Sequence, residues 1–129
     1  MIQQQTLLRV TDTSGAKSAR CIKVLGGFKR KFADLGDIVV VSIQKIKNFS
    51  KIKKGEIYKA VIVRTKKKIN RNDGCSSFLF ENAVSLIDKK KHGKHGKNLI
   101  PAAGRLIGPV SKKLTTKFAD FTKVASEIF

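Results

Sequence analysis

The stretch Ile38-Val39-Val40-Val41-Ser42-Ile43 decides the fold class, because it is β-branched and apolar on both faces of an extended chain. It predicts a buried strand that begins after the turn at Gly36-Asp37. A second run, Ala60-Val61-Ile62-Val63, forms the centre of a strand predicted over residues 56–64. Both runs indicate a sheet protein.

Three further segments extend this pattern, at residues 7–10, 18–25 and 78–87. In 18–25 the alternation predicts Ile22 and Val24 on one side of the strand and Cys21 and Lys23 on the other. About five short strands at regular spacing are typical of a small barrel, which has no exposed sheet edges. The barrel is predicted over about residues 1–88 of a single domain spanning 1–129.

The rest of the chain differs in composition and in predicted secondary structure. Residues 88–98, DKKKHGKHGKN, predict a basic, glycine-rich loop within about 88–100. In the segment 101–129, Ser111 is predicted to cap a short turn, and Thr115 or Thr116 a second helix. One face of this α-helical segment, at spacings of three and four, comprises Phe118, Phe121, Val124, Ala125 and Ile128.

Charge limits the classes of partner. Lys and Arg number 28 against 9 Asp and Glu, a formal net charge of +19. Such a chain repels itself, which favours a polyanionic partner. We expect nucleic acid first and an acidic membrane surface well behind; a merely soluble basic protein is the plain alternative. No apolar run approaches a membrane span, and the N-terminus lacks the features of a signal or transit peptide, so we expect synthesis in the compartment of action.

The cations cluster at strand ends and in loops, with few acidic residues between them. Lysine dominates, which favours contacts with phosphates over reading of bases and suits the shape of A-form RNA. The predicted RNA contacts are Lys23, Lys29, Arg30, Lys31, Lys51, Lys53, Lys54, Arg64, Lys66, Lys67, Lys68 and Arg71, with the basic loop as a further candidate.

Other kinds of site are weaker candidates. Phe28 and Phe32 flank the first basic cluster, Lys29-Arg30-Lys31, where base stacking is less favoured than stapling a hairpin or filling a barrel end. A free-standing module for single-stranded nucleic acid would need exposed aromatic rings on one sheet face. His92 and His95 lack a third ligand, and Cys21 and Cys75 form no CxxC pair, so we expect no metal, no cofactor and free thiols. No convergent set of ionisable groups indicates catalysis or a small-molecule substrate.

Several blocks of this sequence resemble the large-subunit ribosomal protein L-fourteen family, of bacterial type. They include Ile2-Gln3-Gln4-Gln5-Thr6, Asp12-Thr13-Ser14-Gly15-Ala16, residues 21–27, Gly36-Asp37-Ile38, Lys53-Lys54-Gly55, residues 59–67, Asp73-Gly74, Asn82-Ala83 and Gly108-Pro109-Val110. The resemblance runs nearly end to end. It implies a five-stranded barrel with a projecting hairpin and a C-terminal pair of short helices.

The resemblance also implies a structural role without catalysis, and a set of partners. These are large-subunit rRNA, small-subunit rRNA across an intersubunit bridge, large-subunit ribosomal proteins three and nineteen, and the ribosome silencing factor. The implied silencing-factor segment is Ala103, Gly104 and Arg105; the family usually has Gly-Thr before this arginine. Phe118 and Phe121 are predicted as core or partner anchors. Sequence divergence favours a ribosome of the mitochondrial matrix, with the plastid and the bacterial cytoplasm as alternatives.

Overall fold

The computed structural model describes residues 1–70, 74–92 and 99–129. Strands account for 47% of the described residues. They are β1 (Leu7–Val10), β2 (Ala16–Val24), β3 (Ile38–Ile46), β4 (Ile57–Arg64), β5 (Ile69–Asn70), β6 (Ser76–Ser77), β7 (Ala83–His92), β8 (Leu99–Pro101), β9 (Leu106–Val110) and β10 (Ala125–Ile128). A 3₁₀ turn at Lys112–Leu114 and one short helix, α1 (Ala119–Lys123), lie between β9 and β10.

Five of these strands close into a barrel in the order β1-β2-β3-β4-β7. Neighbours along this order are antiparallel, and the parallel pairing of β1 with β7, through Arg9–Ala83 and Val10–Val84, closes it. The predicted fold class is therefore confirmed. β8 pairs with the outer part of β7, and β5 and β6 form a separate two-stranded sheet. Asn72 and Asp73, which lie between these two strands in the sequence, are outside the described residues.

Two apolar clusters hold the molecule together. The first fills the barrel; the second lies outside it, between β4, β7 and the C-terminal segment. β4 serves both, since Ala60 and Ile62 face the barrel interior while Val61 and Val63 face the second cluster. β3 was predicted to be buried on both faces, but it alternates: Val39 is fully buried and Val40 is half-buried.

The predicted alternation along residues 18–25 is wrong. Cys21 and Val24 both face the barrel interior, whereas Lys23 is exposed. The reason is a register shift against β3 between Cys21 and Lys23, a bulge that inserts one residue and reverses the phase of the pleat. The bulge thereby places the Lys23 side chain on the outer surface.

The predicted last strand and the predicted basic loop also have different bounds in the structure. The strand predicted over 78–87 begins at Ala83, because the preceding residues are tied to the end of β4: Leu79 N donates to Thr65 O at 3.3 Å. β7 then continues to His92, so residues 89–92 of the predicted basic loop are strand. Residues 93–98 of that loop lie outside the described residues.

The C-terminal segment agrees with its prediction only in part. Ser111 caps the 3₁₀ turn through its side chain, as predicted. The second helix is capped by neither Thr115 nor Thr116 but begins after Phe118 without a side-chain cap, and it ends at Lys123. The predicted continuation to Ile128 is wrong, because residues 125–128 pair in parallel with β9. Pairing with a distant strand overrides the local helical spacing.

A buried arginine joins β4 to β9. Arg64 is 7% exposed; its Nε donates to Pro109 O at 2.9 Å, and its two terminal nitrogens donate to Ile107 O and to the carboxylate of Glu81. Gly108 passes beside the guanidinium with φ of +83°, and a Cβ added there would lie 3.0 Å from Arg64 Cζ. Only glycine combines this backbone conformation with this approach.

We expect Gly108→Ala to lower the free energy of unfolding by about 3 kcal/mol, because it strains the backbone and displaces the Arg64 hydrogen bonds. The matched control is Gly55→Ala: Gly55 has φ of +85° and nothing within 4 Å of an added Cβ. Gly55→Ala should lower the free energy of unfolding only through backbone strain, by about 1 kcal/mol. Urea unfolding measures both, and equal losses would contradict the role given to the Arg64 contact.

Candidate nucleic-acid interface

The first basic groove lies where the loop after β2 folds back over the outer face of that strand. Its volume is about 700 Å³. The residues that line it are Gln3, Gln4, Ile22, Lys23, Val24, Lys29, Arg30 and Lys31. The structure thus brings the predicted contact Lys23 together with the whole of the first predicted cluster, and all four of these cations are exposed.

The loop that carries this cluster is braced by acidic residues. Arg30 forms an ion pair with Asp37, and its Nε donates to Phe32 O at 3.1 Å. The same Asp37 carboxylate accepts a hydrogen bond from Asp34 N at 2.7 Å. Arg30 therefore shapes the loop, whereas Lys23, Lys29 and Lys31 present positive charge along the groove.

The second basic cluster lies in the connection between β3 and β4, where Lys51, Lys53 and Lys54 are exposed. Lys51 lines a second groove of about 750 Å³ together with Ala103 and Gly104. Two predicted partner residues thus lie beside a predicted RNA contact. Arg105 is exposed next to them, and its carbonyl accepts a hydrogen bond from Thr13 N at 3.2 Å.

The third cluster, Lys66, Lys67 and Lys68, follows β4 and is exposed. Lys67 Nζ lies 3.2 Å from Asp34 Oδ2. Burial alone would raise the pKa of Asp34, but the hydrogen bond from Leu35 N and the Lys67 ammonium lower it below its ordinary value. Lys67 thus links the third cluster to the loop of the first, through a pair exposed enough to add little stability.

Three of the predicted site residues do not lie on an open surface. The guanidinium of Arg64 is buried and hydrogen-bonded within the protein, so it is a structural residue and not a phosphate contact. Phe121 is 0% exposed, and the half-buried Phe118 packs edge-on against it with ring centroids 5.9 Å apart, so both contribute to the apolar cluster outside the barrel. Arg71 lies outside the described residues.

Sequence reasoning missed the cations on the outer face of the barrel. Arg20, Lys45 and Lys59 are exposed on β2, β3 and β4. In the register of the sheet, Lys23 and Lys59 lie on opposite sides of Val40, which separates them in one cross-strand row. The signal was present for Arg20 and Lys59, which lie next to the buried residues Cys21 and Ala60 in their strands. It was missed because single cations within strands do not form runs.

The exposed aromatic rings lie in loops. Phe28 is 93% exposed, with Lys29 Nζ 5.4 Å from its ring centroid, so the predicted packing of Phe28 at a barrel end is wrong. Phe78 and Phe80 are 58% and 88% exposed, between β6 and β7. These rings are not arranged on one sheet face, which is the arrangement that a free-standing single-strand module requires.

Asp12 and Ser14 are the nearest approach to a pair of reactive side chains, and both are structural. The Asp12 carboxylate accepts hydrogen bonds from Leu86 N at 2.8 Å and from the backbone N and hydroxyl of Ser14. Burial raises the pKa of Asp12, and these hydrogen bonds oppose the shift. The carboxylate thus joins the turn after β1 to β7.

The described residues hold no group of three His, Cys, Asp or Glu side chains that could bind a metal ion. In the same part of the chain, no helix has the length and apolar character needed to cross a membrane.

A closed barrel with cation-lined grooves at its loops, and with its most buried carboxylate in a structural role, defines a small basic scaffold protein. The family model described as Ribosomal protein L14p/L23e matches residues 1–129, and the chain belongs to this family. It is therefore a structural protein of the large ribosomal subunit, located on the ribosome, with ribosomal RNA and ribosomal proteins as partners.

We expect Arg64→Lys to destabilise the fold without weakening RNA binding. The change keeps the charge but loses at least one hydrogen bond from the buried fork, so the free energy of unfolding should fall by about 2 kcal/mol. Urea unfolding gives that loss, and anisotropy with a labelled RNA duplex should show affinity within twofold of wild type. Unchanged stability with a large loss of RNA affinity would restore Arg64 as an RNA contact.

Proposed function

We propose that the protein binds large-subunit rRNA through the first basic groove, using the phosphates of the folded RNA and not its base edges. The observation that supports this most strongly is the convergence of Lys23, from β2, with Lys29 and Lys31, from the loop after it. Two separate segments supply the charge, and the nearby carboxylate of Asp37 is engaged with Arg30.

Electrostatics explains why such a groove would be useful to this chain. With a net charge of +19, the cations repel one another until a polyanion neutralises them. Lysine acts as a point charge that needs no fixed angle to a phosphate. Each phosphate contact also releases condensed counterions, which favours binding at low salt.

The outer face extends this proposed interface. Arg20, Lys45 and Lys59 continue the positive surface from the first basic groove across the sheet. Further proposed contacts are Lys51, Lys53, Lys54, Lys66, Lys67 and Lys68, which are all exposed. Arg71 and the basic loop stay predictions from the sequence.

The finer assignments are also proposals. The second groove, with Ala103 and Gly104 beside the exposed Arg105, is our candidate docking surface for the ribosome silencing factor. From the family we also propose that the protein contacts large-subunit ribosomal proteins three and nineteen and forms a bridge to small-subunit rRNA. We also propose the mitochondrial matrix as the location, in preference to a plastid or a bacterial cytoplasm.

The test is a salt titration of binding to a labelled A-form RNA duplex. For the triple variant Lys23→Ala, Lys29→Ala, Lys31→Ala, the slope of log affinity against log salt should become shallower by about 2 to 3, because each phosphate contact contributes about 0.7 to 0.9. Wild-type protein should show a steep slope.

The matched control removes three exposed lysines from the C-terminal segment: Lys112→Ala, Lys113→Ala, Lys117→Ala. The loss of net charge is the same, but these residues lie outside the groove. An equal change of slope in both variants would show that bulk charge alone drives binding. A flat salt response in the wild-type protein would contradict the proposed function itself.

A further inference from the structure

A third groove, here called the Phe80 groove, lies between the outer side of β1 and β2 and the segment that precedes β7. Its volume is about 390 Å³. Its exposed apolar residues are Leu7 and Phe80, which are 59% and 88% exposed. The cations Arg9, Lys17 and Lys66 line the same groove and are also exposed.

The backbone on both sides of Phe80 is fixed by hydrogen bonds. Leu79 N donates to Thr65 O at 3.3 Å, and Asn82 Oδ1 accepts from Lys66 N at 2.9 Å. Glu81 is held by ion pairs with the buried Arg64 and with Arg9, the latter at 2.9 Å. The exposed ring therefore stands on a braced segment, so a ligand would lose little free energy in ordering it.

The ring has a further support on one side. Phe78 lies edge-on to Phe80, with ring centroids 5.7 Å apart and planes inclined at 76°. This geometry is a favourable aromatic contact that restrains the ring. The high exposure of Phe80 leaves it accessible to a flat ligand.

The surrounding charge indicates what such a ligand would be. Three cations and one carboxylate line the groove, so its balance is positive. The apolar centre of a protein interface is usually depleted of charge, which makes this groove a poor match for one. A nucleotide matches both features, because its base stacks on an aromatic ring and its phosphates attract lysine and arginine.

We infer that the Phe80 groove holds an unpaired base of RNA, stacked on Phe80, with the flanking phosphates near Arg9, Lys17 and Lys66. This inference rests on the proposed function as an RNA-binding protein. It adds a second mode of recognition, in which the first basic groove binds the backbone of folded RNA and the Phe80 groove binds a base that has left its helix.

The test compares two labelled RNAs, a single strand of about ten nucleotides containing one 2-aminopurine and a fully paired duplex. Phe80→Leu keeps an apolar side chain but removes the aromatic face. It should lower affinity for the single strand about tenfold, equivalent to about 1.4 kcal/mol, and abolish the quenching of 2-aminopurine. Duplex affinity should not change, and Phe80→Tyr should retain both signals.

The matched control is Phe49→Leu, which removes another fully exposed ring from the connection between β3 and β4. It should leave single-strand binding and quenching unchanged. Equal losses in both variants would overturn the inference, and so would unchanged single-strand binding in Phe80→Leu. If that variant binds RNA normally but associates less with other large-subunit ribosomal proteins, the occupant is a protein and the inference is also overturned.

The same experiment separates this inference from the proposed function. Wild-type protein that binds the duplex but not the single strand would overturn the stacking inference alone. Wild-type protein that binds neither RNA would overturn both. Circular dichroism and thermal melting of each variant exclude unfolding as the cause of a loss, since Phe80 and Phe49 are exposed and belong to neither apolar cluster.

Discussion

The buried guanidinium of Arg64 is the contact on which the arrangement of the outer elements depends. Among the residues whose side chains the structure describes, it is the one buried cation, and it joins three parts of the chain. It holds β9 through two carbonyls and the segment before β7 through Glu81. Glu81 in turn holds Arg9 on β1. Burial of this charge is tolerated because each donor group has an acceptor.

The fold could be predicted to the level of its class because residues 38–43 and 60–63 carry their strand signal locally. Which side chains of β2 face the barrel interior could not be predicted, since the bulge between Cys21 and Lys23 arises only when the strand pairs with β3. The C-terminal prediction failed for a related reason. Phe118, Phe121, Val124 and Ala125 do face the core, but residues 125–128 form a strand because β9 supplies a partner far away in sequence.

The candidate site could also be predicted only in part. Runs of cations in loops were visible in the sequence, and their exposure agrees with a surface role. Arg64 was misassigned because sequence shows its charge but not the carbonyls of β9 that surround it. Arg20, Lys45 and Lys59 were missed because each is a single cation within its strand, and only the pairing of the strands places them on the outer face. Phe80 became a candidate because hydrogen bonds fix the residues on either side of it. The spacing of residues in the sequence does not predict these bonds.

We propose that a rigid barrel holds particular lysines against ribosomal RNA. Lysine acetylation footprinting, read by mass spectrometry on the free protein and on intact large subunits, measures this directly at each side chain. We expect Lys23, Lys29 and Lys31 to react readily in the free protein and to be strongly protected in the subunit. Equal reactivity of these three lysines in both states would contradict it.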